Sequence, residues 1–353
     1  MKLPRLLLSR SIQIILISCL FIPVYAQDKS DVILSRSPLE KIISVRAGGR
    51  SLASFFYADS LAKPVLFPIY APDGQIITRG FPIAPRPDDP TDHPHHIGLW
   101  FNYENVNGLD FWNNSYAIPP EKRGHYGHIT TDSIVGLSTG RTGKLVYLAS
   151  WRKPDGRPLI REKTEYVFAV KANHFIIDRI TVLQALDSIH FADAKDGFLG
   201  LRVTHSLELP SAQPATYTDE QGIKTTVPAS RRTTGNYLTS EGRTGDSAWG
   251  TRASWCMLYG KLNADTIAII IIDHPANPGY PTYWHARGYG LFAANPLGQK
   301  IFSNGKEELD FRLSKGESAT FRYRIVITSG KDRPSSEEIK SIASDFASGK
   351  QDP

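Results

Sequence analysis

The sequence predicts an all-β fold, a large antiparallel β-sandwich with one C-terminal helix. Three observations carry this expectation. After Gln27 the apolar runs are of strand length, rich in Val, Ile, Tyr and Phe, and broken by Asn, Asp, Gly and Pro. The 28 glycines and 24 prolines are spread along the whole chain, as many short turns require. Only one stretch, close to the C-terminus, repeats apolar residues at helical spacing.

The N-terminus comes first. Lys2, Arg5 and Arg10 precede an almost wholly apolar run from Ile12 to Val24, and Val24-Tyr-Ala26 supplies the residues before a cut ahead of Gln27. That order of charge, apolar run and cleavage site is the layout of a secretory signal peptide. The run falls short of the roughly 20 residues that span a bilayer. A lipoprotein cut at Cys19 is the weaker reading, because the apolar run continues through Phe21, Ile22 and Val24. The expected organisation is a leader over 1–26, a single sandwich domain over 27–332, and a helix with a loose tail over 333–353. The expected location is periplasmic or extracellular, with no membrane span once the leader is removed.

Within the domain, Lys144 to Trp151, Glu165 to Val170 and Phe175 to Leu183 read as strands. Thr266 to Asp273 is a continuous apolar run, as in a strand covered on both faces. Ala319 to Ile327 alternates in part and reads as a half-exposed antiparallel strand. Ser335-Ser-Glu-Glu338 is a capping box, and Ile339, Ile342, Ala343 and Phe346 follow at helical spacing, so this helix should pack on the outside of a sheet.

Composition excludes several functions. The formal net charge is +6, but three of the positive residues lie in the leader, and no clustered Lys/Arg face with interleaved aromatics remains to bind nucleic acid. Of the 2 cysteines only Cys256 follows the leader, so an internal disulfide is not expected. Cys256 beside Trp255 reads as a buried apolar residue rather than a nucleophile. The nucleophile elbow, the phosphate-binding loop, the dinucleotide glycine fingerprint and the Cys-x-x-Cys pair are all absent.

Chemistry concentrates in a few stretches. "RPDDPTDHPHHIGLWF", Arg86 to Phe101, holds three of the ten histidines. Pro90 and Pro94 make it an extended loop running into a strand. Residues two apart in extended chain lie on one side about 6–7 Å apart, so His93 and His95 should converge while His96 points elsewhere. Asp88, Asp89 and Asp92 stand close enough to orient an imidazole. "DHPANPGYPTYWHARGYGLFAANP" follows the most apolar strand and contributes Asp273, His274, Trp284, His285 and Arg287. An aromatic ring beside His and Arg suits a sugar, with a flat face for the pyranose and donors for its hydroxyls. "FADAKDGFLGLRVTHSLEL" adds Lys195, Asp196 and Arg202, with His205 and Glu208 after the strand. "ENVNGLDFWNNS", with Asp110 and Trp112, and "RGHYGHI", with His125 and His128, are read as a wall of the same pocket.

"DHPHHIGLWFNYENVNGLDFW", "DAKDGFLGLRV", "DHPANPGYPTYWHARGYGLFAANP" and the closing "LSKGESATFRYRIVI" together resemble the PmoA-like family of secreted bacterial proteins. That family is a domain of unknown function often labelled as a methane oxygenase. The resemblance covers roughly Ala53 to Gly330, with Asp196 where Glu is usual and Ile97 where Arg is frequent. It implies a galactose mutarotase-like supersandwich, a fold that binds or transforms carbohydrates with a His acid and a carboxylate base. Methane oxidation would need bilayer-spanning helices that the chain does not offer after its leader.

The expected function is that of an exported carbohydrate-active protein of mutarotase, hydrolase or lyase type. Its imidazoles would come from His93, His95, His96, His274 and His285, and its carboxylate from Asp273 or Asp196. Lys195, Arg202 and Arg287 would hold hydroxyls or a uronate, and Trp284 would stack, with Trp112 also lining the site. The alternatives are a non-catalytic sugar-binding module and a metal-dependent enzyme built on His93, His95 and His96. No cofactor is otherwise expected, and the partner is a small molecule, a carbohydrate.

Overall fold

The strand-length runs assemble into two eight-stranded sheets in the computed structural model, which describes residues 31–349 apart from 88, 173, 219–223 and 229–232. The leader expected over 1–26, Asp88 and the last four residues of the expected tail lie outside the described residues. The first sheet runs, edge to edge, Val32–Ser37, Ile42–Ala47, Arg50–Phe56, Val65–Ile69, Leu99–Tyr103, Gly197–Arg202, Leu291–Asn295 and Tyr283–Ala286. The second runs Asn236–Thr239, Trp255–Leu262, Asp265–Asp273, Ser318–Gly330, His174–Ala185, Pro158–Lys171, Thr142–Arg152 and His128–Ser138. Neighbouring strands in both sheets are antiparallel. The fold is the large antiparallel sandwich that the turn-rich, strand-length pattern predicts.

Alternation of side chains along each strand decides what each face carries. Leu99, Phe101, Leu199, Leu201, Trp284, Ala286, Phe292 and Ala294 turn inward from the first sheet and join Ile267, Ile269, Ile271, Tyr323, Ile325 and Ile327 in one core. Inside that core sits a buried ion pair, Arg179 to Glu162 at 2.8 Å. Glu162 also accepts from Tyr147 Oη, Trp151 Nε1 and Thr164 Oγ1 at 2.7–2.8 Å, so its charge is fully hydrogen-bonded.

The C-terminal helix, Ser336–Ala347, begins as its capping box requires. Glu338 N–H donates to Ser335 Oγ at 3.2 Å, and Ser335 N–H donates to the Glu338 carboxylate at 2.6 Å. Ile339 and Phe346 pack on Trp255, Met257, Ala268, Ile270, Ile272 and Val326, the outward face of the second sheet. Asp265–Asp273 is therefore covered on both faces, with odd-numbered isoleucines in the sandwich core and even-numbered ones under the helix. The strand Ser318–Gly330 departs from expectation. It is buried without a break from Tyr323 to Thr328, because the helix lies over it. There Arg324 pairs with Asp178 at 2.7 Å and lies 4.9 Å from the Phe346 ring centre.

The outward face of the first sheet is different. By alternation with the core residues it carries Trp100, Asn102, Gly200, Arg202, His285 and Ala293. That is the face on which the polar loops gather.

Candidate functional site

Register brings three of the chemically loaded stretches to one end of the first sheet. Leu201 lies opposite Leu99 on one side and Phe292 on the other, and Ala286 lies opposite Phe292. The histidine loop entering at Leu99, the chain leaving at Arg202, and the Arg287–Gly290 turn thus meet. Gly200 makes the floor flat: a Cβ there would sit 2.5 Å from the Trp100 indole and 2.8 Å from Trp112. Trp100 therefore lies against bare backbone, with Trp112 packed edge-on to it, ring centres 5.0 Å apart.

The histidine loop turns where extended chain was expected. His93 takes a positive φ of 47°, and His96 N–H donates to His93 O at 3.0 Å. This turn stacks His93 on His96, ring centres 4.8 Å apart and planes within 1°. Tyr289 stacks on the outer side of His93 at 5.2 Å, and Trp100 lies under His96 at 5.2 Å. His95 stands edge-on to both, 5.6 Å from His93 and 4.4 Å from His96. His93 and His95 thus stand edge-on rather than side by side on extended chain, and His93 and His96 present faces to each other rather than lone pairs. Among the described residues no group of three or more His, Cys, Asp or Glu side chains is arranged to hold a metal ion.

Two buried arginines hold the loop. The Arg79 guanidinium donates to the carbonyls of Pro90, Asp92, His93 and His96 at 2.6–3.1 Å, and reaches Asp92 Oδ1 at 3.3 Å. Arg202 grips Asp92 with two bonds of 3.0 and 3.1 Å and lies 3.6 Å from Glu208. Asp92 in turn bonds His93 Nδ1. Burial opposes ionisation of Asp92, but Arg202, the His93 bond and Arg79 together hold it well below the usual carboxylate range. Burial, then the neighbouring Arg202, pushes Arg79 down to about 9. Burial also lowers His93, and it drives His95 and His96 well below the ordinary imidazole value, so all three are neutral near pH 7. Lys63 closes the back of the loop by donating to His95 O at 2.8 Å and Trp112 O at 3.1 Å.

Beside this stack opens a cleft of about 530 Å³. Its walls include His205, Glu208, Asp246, Trp249, Arg287 and Tyr289. His205 Nδ1 and Glu208 Oε2 are 2.8 Å apart. A continuous polar chain thus runs His205, Glu208, Arg202, Asp92, His93. Tyr289 belongs to both parts, lining the cleft while stacking on His93. Arg287 has its guanidinium carbon 5.6 Å from the Trp249 ring centre and 5.8 Å from that of Tyr289. The turn is tied in place by Leu209 N–H donating to Gly288 O at 2.9 Å, and Gly290 supplies the φ of 86° that closes it. The arrangement offers an aromatic wall, a cation, carboxylate acceptors and an imidazole already bonded to a carboxylate, the equipment of proton transfer to a bound polar molecule.

The other residues singled out from the sequence divide. His285 is buried on the outward face, its Nδ1 3.2 Å from Asp196 Oδ1 without the alignment of a hydrogen bond. Asp196 also lies 3.7 Å from the half-exposed Lys195, and burial lowers His285. Trp284 is one residue away and so faces the opposite way, into the sandwich, where its Nε1 donates to Ala253 O at 3.0 Å; it cannot stack on a ligand here. Trp112 is fully buried behind Trp100 and His96 and backs the stack without lining the cleft. Asp273 accepts from Asn277 Nδ2 at 2.7 Å and Thr282 N–H at 2.9 Å, a loop latch in which burial pushes it up to about 7. His274 packs edge-on to Phe346 at 5.1 Å and lines a separate hollow with Arg322 and Arg324 beside the C-terminal helix. Those two belong to the second sheet, so they do not join the histidines. His125 is exposed, and His128 lines another hollow with Asn114, Tyr116, Arg123 and Tyr126; Asp110 caps Asn113.

Sequence reasoning passed over Tyr289 and Trp249 and left His205 and Glu208 unranked. The signal was present: each aromatic sits beside glycine in a turn, "RGYG" and "AWGT", outside the strand-length runs.

No curated protein sequence matches the chain. Among solved structures it is similar to the GH36 α-galactosidase AgaB from Geobacillus stearothermophilus, at 13% identity and a TM-score of 0.39 over 85% of this chain and 41% of that one. It is also similar to the α-galactosidase from Lactobacillus brevis, at 9% identity and a TM-score of 0.34 over 85% and 39%. A provisionally named aldose 1-epimerase from Escherichia coli K12 follows at 12% identity and a TM-score of 0.33, over 84% of this chain and 98% of that one. The chain spans about two fifths of the α-galactosidases' length, and likeness at these scores specifies neither ligand nor reaction. A family model does extend over the sandwich and most of its helix, from 42 to 344, and by that match the chain belongs to DUF6807, a family of unknown function.

Proposed function

We propose that this chain is an exported, carbohydrate-active protein that binds a sugar in the cleft beside the histidine stack and acts on it by acid–base chemistry. The observation that carries the reading is the pairing, across one 530 Å³ hollow, of an aromatic wall with a hydrogen-bonded imidazole–carboxylate pair. Trp249 remains 39% exposed although it is a large apolar side chain, as a stacking surface for a sugar face would be. His205, oriented by Glu208, donates or accepts the proton, and Arg202 fixes Glu208 from below. The PmoA-like resemblance belongs to the same reading, since three of the four stretches that carry it meet here. Export is supported by the leader-like order of charge, apolar run and Val24-Tyr-Ala26.

The test is proton NMR of the purified chain with reducing monosaccharides and simple glycosides. Chemical change should be visible at the anomeric signals, or line broadening should report binding. Trp249→Ala should lose binding. His205→Gln should retain binding while turnover falls at least roughly 100-fold, the usual scale for a positioned acid or base. Full turnover in His205→Gln, or no sugar engaging the cleft at millimolar concentration, would defeat the proposal.

A further inference from the structure

The cations of this region are not equally engaged. Arg79 is spent on four carbonyls and Asp92, Arg202 on Asp92 and Glu208, Lys63 on two carbonyls, and Lys195 stands beside Asp196. Arg287 differs. Its neighbours are the faces of Trp249 and Tyr289, and among the described residues its guanidinium makes no hydrogen bond and no ion pair. A guanidinium carries five N–H donors in a fixed fork that matches a carboxylate. Here that fork is half-buried on a cleft wall, with the Trp249 and Tyr289 rings beside it to orient it.

The acceptors of the same cleft are placed differently. Glu208 Oε2 is bonded to His205, and its Oε1 lies 3.6 Å from Arg202 as an ion pair without a hydrogen bond. Asp246 lines the cleft without pairing to Arg287, and it remains an acceptor for hydroxyl groups. The hollow therefore asks one molecule for three things: a ring face for Trp249, hydroxyl donors for Asp246, and a planar anion for Arg287. A neutral sugar supplies the first two only. We infer that the ligand of this cleft is a sugar acid, with its carboxylate received by Arg287. The inference rests on the sugar reading above and narrows it.

The full chain should be titrated by calorimetry with D-glucuronate, D-galacturonate, D-glucose and D-galactose, and the same four run against Arg287→Met and Arg287→Lys. The readout is the ratio of affinities, acid over neutral parent. A bidentate, charge-assisted contact predicts a ratio of roughly ten or more in the native chain. It should fall to about one in Arg287→Met, and part of the way in Arg287→Lys, which keeps the charge without the fork. A native ratio near one overturns the inference and leaves the sugar reading standing, as does an unchanged ratio in Arg287→Met. No binding of any of the four defeats the sugar reading and this inference together. The native ratio decides even where a variant folds poorly.

Discussion

Arg202 sets the charge balance of the site. It reaches Asp92 with two bonds and Glu208 at 3.6 Å, all three side chains being buried. Replacing it by Met keeps much of the volume but leaves Asp92 with only Arg79 and His93, and Glu208 with only His205, among the partners described. Removing one partner from a buried pair costs about 3–5 kcal/mol. Arg202→Met should therefore lose that much stability in urea denaturation, and adding Asp92→Asn should recover part of it. A single variant as stable as the native chain would show that the carboxylates do not depend on Arg202. Much at this scale was legible in the sequence, because His93, His96, Arg202, Asp196 and Arg287 lie in stretches whose composition marks them. What was not legible is direction. Trp284 and His285 look equally eligible as letters, yet neighbouring residues on a strand face opposite ways, and only the inward row of Trp284, Ala286, Phe292 and Ala294 tells which is which.

A single turn reorganises the histidine loop. Prolines on either side of His93 suggested extended chain, whereas Arg79 gathers the carbonyls of Pro90, Asp92, His93 and His96 onto one cation and wraps the backbone around it. Arg79 lies far enough upstream that local spacing gives no hint of this. The C-terminal helix is the opposite case, since its capping box and apolar spacing are local signals and the element forms where they say. Ser335 Oγ accepts the Glu338 N–H and the cap is exposed, so Ser335→Ala should cost about 1 kcal/mol, measured by thermal or urea unfolding. No measurable loss would mean that Ile339 and Phe346, packed on the sheet, hold the first turn without the cap. Sheet membership was the other illegible property at this level. Asp265–Asp273 reads correctly as a doubly covered strand, but nothing in it says that it joins the sheet away from the histidines, and this is why His274 was grouped with them.

The sandwich as a whole was readable from strand-length runs and turns, since every run needs a partner face to bury. Its pH response follows from what it buries. Burial lowers His93, His95, His96 and His285, so as pH falls below about 6.5 the unfolded chain takes up protons that the folded chain refuses. Their contribution to stability is present above the unfolded value and is lost as pH falls toward their folded values. Asp273 works the other way. Its folded value is raised to about 7 from 3.8, so its contribution is full below 3.8 and is lost as pH rises toward 7. Burial lowers His128, His174 and His274 in the same sense and raises Asp193 as it does Asp273, so between pH 7 and 5.5 the lowered imidazoles outnumber the raised carboxyls, and each uncompensated proton is worth about 1.4 kcal/mol per pH unit. Stability should therefore drop on acidification through this window, seen as a falling urea midpoint. Asp273→Asn removes an opposing group, the carboxyl raised to about 7, so the drop should steepen in that variant. A midpoint that is flat or rises between pH 7 and 5.5 in the native chain would mean that these imidazoles take up protons in the folded state, and the neutral stack of Tyr289, His93, His96 and Trp100 could not then stand as described.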